Sequence, residues 1–183
     1  MTPTRALAAF LLLSLTATPA LADDDDAADP PHVRVTDRRL RVLFEEGKGS
    51  SPTFQALVSR LEESDVVVYI EEDRWSTESF AGRLSFLSVV GGTRYLLIRV
   101  VPLASPIQQL AMMAHELQHA VEVADSPDVV DEDSLFREYM RIGYLNGVTS
   151  TGLAVDTRAA IETAARVAQE LRSEPKVPIN LDD

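Results

Sequence analysis

The chain carries three histidines, and two of them, His115 and His119, stand four positions apart with Glu116 directly after the first. On a helix, residues at i and i+4 lie about 6 Å apart along the axis. Two imidazoles at that spacing can converge on one zinc ion at Zn–N distances of roughly 2.0–2.1 Å. Glu116 points about 100° away from His115 around the same helix, which makes it a poor partner in a shared ligand set. It can still reach a water held by that ion, the place for a general base. A competing reading needs no metal: two polar residues on the outer face of an ordinary helix.

A helix over 105–124 has two stripes. Leu110, Ala114, Leu117, Val121 and Ala124 form one, which suits a core. Gln108, Met112, His115, His119 and Glu122 form the second, roughly opposite. The histidine face is therefore not needed to fold the helix.

A catalytic zinc site takes three protein ligands and leaves one position for water. The chain has no cysteine, so the third ligand must be His, Asp or Glu. His32 lies in a leader region, remote from the pair. Asp156 opens the last helix, whose Ala159, Ala160, Ala164 and Ala165 make it thin enough for close approach. An ordinary N-cap is the alternative role for Asp156. Glu138 lies in the helix after the histidines, off its apolar face of Leu135, Phe136, Tyr139 and Ile142 and near Arg141, where a surface carboxylate is the simpler reading. Glu122 shares the histidine stripe, but three ligands in a row on one straight helix close poorly on a tetrahedral ion. It suits orienting a histidine by hydrogen bonding, or plain solvation. The order of preference is Asp156, Glu138, Glu122, with Glu162 a further possibility. Tyr139 and Tyr144 could donate to a developing oxyanion or simply pack.

The string HELQHAV resembles the zinc helix of thermolysin-like enzymes, and the chain is similar to the zincin metallopeptidases of the branch whose third ligand is acidic. The resemblance runs from the hairpin before this helix to the last helix, and only HExxH within it is specific. It implies a helix beneath a twisted sheet whose edge strand aligns a peptide substrate, with Tyr95 to Val101 as that strand. It also implies a third ligand from a following helix. Most members use Glu there, and Glu138 follows His119 at a similar interval.

The elements that must position these residues can be read from pattern. Arg39 to Phe44 alternates, the period of a half-buried strand. Ser51-Pro52 and Ser105-Pro106 each pair a capping serine with proline at the first helical position. Val66 to Glu71 is a β-branched strand. Leu84 to Val90 and Tyr95 to Val101 flank Gly91-Gly92, a hairpin turn. A helix from Asp133 or Ser134 to Ile142 ends at Gly143, and Asp156 or Thr157 caps a last helix running to Leu171. Strands first and helices second predict an α+β fold, of zincin-like type by the resemblance.

Residues 1–22 read as an export signal with a short apolar core and an Ala20-Leu21-Ala22 cleavage site. That core is too short to span a bilayer as a stable anchor. An acidic leader covers 23–32, the domain 33–171 and a frayed tail 172–183. The formal charge of −12 disfavours nucleic acid as a partner. The expectation is an exported, periplasmic or extracellular, zinc-dependent peptidase acting on peptides or proteins, with Glu116 as base. A non-enzymatic zincin-like binding module and a purely structural domain are the competing readings.

Overall fold

The computed structural model describes residues 29–74, 81–149 and 152–173. The expected signal, most of the acidic leader and residues 174–183 of the tail lie outside the described residues. The fold is α+β: among the described residues, five helices, a mixed four-stranded sheet and a two-stranded hairpin.

The sheet has the order β1 (Val33–Val35), β2 (Val66–Glu72), β4 (Thr93–Val100), β3 (Gly82–Val90). The first three are parallel, and β3 runs antiparallel to β4. Gly91 and Gly92, at φ of 60° and 88°, make the turn between β3 and β4, a conformation that glycine adopts without strain. On one sheet face Val66, Val68, Ile70, Leu96, Ile98 and Val100 are fully buried. Residues with the opposite parity on β4, such as Tyr95 and Leu97, are only partly buried. That contrast is the two-residue period of a sheet with one face packed against helices.

Arg39 to Phe44 is not a strand. It lies in α1 (Arg38–Ser50), started by the Asp37 side chain, which accepts from the N–H groups of Arg39 and Leu40. The buried positions are Leu40, Phe44 and Gly47, a helical spacing, whereas Val42, which completed the apparent alternation, is 66% exposed. Ser51 ends α1 and caps α2 (Pro52–Glu62) through its side chain. Together α1 and α2 form the crossover from β1 to the parallel β2.

The helix bearing the histidines, α3 (Pro106–Ala124), is capped by Ser105 and packs on β2, β3 and β4. Its C-terminus ends on a buried arginine of the sheet. Arg94 Nη1 donates to the carbonyls of Val123 at 2.7 Å and Ser126 at 2.8 Å, and Nη2 pairs with Asp65 Oδ1 at 2.7 Å. A cation there adds to the turn N–H groups these carbonyls already accept, Ser126 N–H on Val123 and Val129 N–H on Ser126, and matches the negative end of the helix dipole. Arg94→Met should therefore remove several charge-assisted hydrogen bonds at once and lower stability by about 3 kcal/mol. A thermal or urea midpoint unchanged in that variant would remove Arg94 from the account of how α3 is held.

The last helix, α5 (Arg158–Ser173), extends past the expected end at Leu171 and packs along α3. Its Glu170 carboxylate accepts from the hydroxyls of Ser51 and Thr53 and from the Thr53 N–H, closing the start of α2 onto α5. Between α3 and α5 lie α4 (Glu132–Ile142) and the hairpin of β5 (Tyr144–Thr149) and β6 (Gly152–Asp156). Among the described residues no helix is long and apolar enough to cross a membrane.

Candidate metal centre

Helix α3 puts His115 and His119 one turn apart on one face, with ring centroids 4.9 Å apart. The third member arrives from the end of β6. Asp156 Oδ1 lies 3.3 Å from His115 Nε2 and 3.6 Å from His119 Nε2. One ligand atom from each of the three residues lies within 4.8 Å of the other two. Two imidazole nitrogens and a carboxylate oxygen converging from two elements form a group that could hold a metal ion.

Local chain chemistry explains why Asp156 is free to face the histidines. Thr157, not Asp156, caps α5: its hydroxyl accepts from Ala160 N–H at 3.2 Å. Asp156 ends β6, and its carboxylate is held from behind by two donors. Asn146 Nδ2 donates to Oδ2 at 3.0 Å, and Thr157 N–H to Oδ1 at 2.7 Å. Gly143 sits against this strand end, where a Cβ would collide with the Asp156 carbonyl.

Glu122 touches a histidine without facing the shared centre. Its Oε2 lies 2.8 Å from His119 Nδ1, and its Oε1 accepts from the Thr157 hydroxyl at 2.6 Å. A carboxylate only accepts, so the proton belongs on Nδ1, and Nε2 is the nitrogen that faces Asp156. Glu138 lies elsewhere: its carboxylate takes Ser126 Oγ at 2.7 Å and the Arg141 guanidinium. Glu162 is exposed on α5, and His32 Nδ1 lies against the Leu61 carbonyl. Neither belongs to the group of three.

Charge is concentrated here. Burial opposes ionisation of Asp156, but His115 and His119 outweigh it and hold the carboxyl well below the usual carboxylate range. Burial alone would lower His119, yet hydrogen bonds to Asp156 and Glu122 raise it to about 9. Without a metal, His119 thus keeps a proton that a bound cation would displace. Burial pushes the Glu116 carboxyl up, opposed by His119 and His115.

Glu116 is buried against β3 rather than among the three. An ideal Cβ on Gly82 would lie 2.5 Å from Glu116 Oε1 and 2.9 Å from its Cγ and from Met112 Sδ. Only glycine leaves space for that carboxylate. In Gly82→Ala the flexible end of Glu116 has to move. The expected result is a melting temperature near that of the parent and a Glu116 carboxylate displaced in a crystal structure of the variant. A Glu116 side chain in its parental position would show that β3 moves instead.

The strand beside the centre is β3, at the sheet edge. Tyr95 to Val101, expected at the edge, falls largely in β4, which pairs on both sides. The parallel β2 takes the second side of β4, so among the described residues β3 and β1 stand at the edges of the sheet. A cleft of about 520 Å³ opens over the centre, walled by Leu84 of β3, Leu135, Phe136 and Tyr139 of α4, and Val155 of β6. The Tyr139 ring lies 5.0 Å from that of His119, and its hydroxyl donates to the His119 carbonyl at 3.3 Å. Tyr144 is exposed on β5.

No family model, curated protein or solved structure matches this chain.

The sequence does not single out Asn146 or Gly82 for these positions. Asn146-Gly147 is a turn-like dipeptide that could have suggested a hairpin. Nothing in the sequence alone distinguishes Gly82 from the other glycines.

Proposed function

We propose that the chain is an exported zinc-dependent peptidase with a zincin-like arrangement. The observation that carries this reading is the convergence of Asp156 with His115 and His119 at the floor of a cleft, with Glu116 buried beside them. Nitrogen and carboxylate donors in that number suit zinc and leave a position for water. When bound, zinc polarises a carbonyl and lowers the pKa of water towards about 7.

The chain's own residues supply the rest. Glu116 takes the proton of the attacking water, holds it in a buried setting that favours the neutral acid, and delivers it to the leaving amine. Glu122 fixes the ring of His119, and Asn146 with the Thr157 N–H fixes Asp156. The outward backbone groups of β3 offer an extended peptide a strand to pair with, next to Glu116.

The test is metal analysis of purified protein together with a peptide-hydrolysis assay with and without a chelator. One equivalent of zinc and hydrolysis that stops on chelation and returns with zinc are expected. Zinc at background level would overturn the metal centre. Zinc without hydrolysis would leave a metal-bearing binding module.

A further inference from the structure

Among the described residues no strand pairs with the outer side of β3, and one end of that edge is capped by a side chain. The Ala81 carbonyl accepts from Val101 N–H at 2.9 Å, so the backbone of Ala81 faces β4. By the alternation of an antiparallel ladder, Gly82, Leu84 and Phe86 turn their backbone groups outward. Gly82 stands at Glu116, so pairing that starts at the reacting centre proceeds through Leu84 to Phe86. There it meets two obstacles. The Phe86 N–H already donates to Glu132 Oε2 at 2.9 Å, a carboxylate from the first turn of α4. Immediately beyond, the register shifts between Phe86 and Ser88, and such a bulge interrupts the ladder and bends the edge.

We propose that Glu132 sets the length of peptide the cleft accepts, by closing the pairable edge of β3 at Phe86. This rests on the reading of the site as a peptidase. Gly82 and Leu84 remain as pairing positions, so roughly three substrate residues fit on that side of the scissile bond. The protein then acts near a chain end or on short peptides. Glu132 is exposed and lies outside the core, so its substitution leaves the fold in place.

The test uses zinc-loaded protein carrying Glu116→Gln, and reads binding of a peptide series lengthened from either end. With Glu132 present, affinity should rise as residues are added to one end and level off after roughly three. With Glu132→Ala it should keep rising, by roughly tenfold for two further residues, as expected for about two added backbone hydrogen bonds. Glu132→Gln should keep the plateau, because its amide oxygen can accept the same N–H. A plateau at the same length in Glu132→Ala overturns the proposal, as does an absence of binding at every length. Hydrolysis by the protein with Glu116 intact is measured separately. If it is absent while the plateau still moves, the peptidase reading fails and the role of Glu132 stands.

Discussion

Glu116→Gln should keep zinc and lose about a thousandfold in peptide hydrolysis. Gln matches Glu in shape, so it fills the space beside Gly82 and Met112 that the carboxylate fills. It contributes no ligand to the group of His115, His119 and Asp156, so stoichiometry should stay at the parental value. What it lacks is a lone pair basic enough to accept a proton from water. Burial matters to the size of the effect. The surroundings that raise the Glu116 carboxyl make it a better proton acceptor than a solvated glutamate. Measured rates within a few-fold of the parent would take Glu116 out of the chemistry, whatever the metal does.

Asp156→Ala should abolish metal loading. The two histidines would remain on α3, but a helix offers them no third donor at the shared centre: Glu122 is spent on His119 Nδ1 and on the Thr157 hydroxyl. Loss of a supporting group costs 10–100-fold in metal affinity, and loss of a direct ligand should exceed about a hundredfold. Glu122→Ala belongs in the first range, and Glu138→Ala should change nothing, because its carboxylate serves Ser126 and Arg141. The helix after Asp156 keeps its start, since Thr157 is the cap, so circular dichroism of Asp156→Ala should match the parent. Full zinc in the Asp156 variant would mean that the ligand set has been misread.

The contrast between these carboxylates shows where sequence is informative. His115, Glu116 and His119 share one helix, so their relation follows from helical geometry alone. The two Ser-Pro helix starts and the Gly91-Gly92 turn are equally local. Asp156 is a different case. Asp156 and Thr157 are both good caps, and which one caps decides which is left free. That choice depends on β6 holding Asp156 in a strand, and β6 depends on pairing with β5. The hairpin left little pattern to read because Tyr144, Leu145, Val148 and Leu153 are all exposed, giving no buried alternation. In α1 the failure was the reverse. Val42 supplied an alternation that no sheet uses, while Leu40 and Phe44 already carried the helical period. Edge position is a property of the whole sheet: β4 became interior because β2, distant in sequence, paired with its second side.

Asp156 reaches the two histidines from a strand far along the chain. His119 and Asp156 bracket residues 120–155, which hold α4, β5 and almost all of β6. An ion gripped by both ends would act as a cross-link across that stretch, and binding only the folded form would stabilise it in proportion to the logarithm of metal concentration. The exposed hairpin is where local opening and nicking by an added protease should begin. Metal supply would then govern how long each molecule survives as well as whether it works.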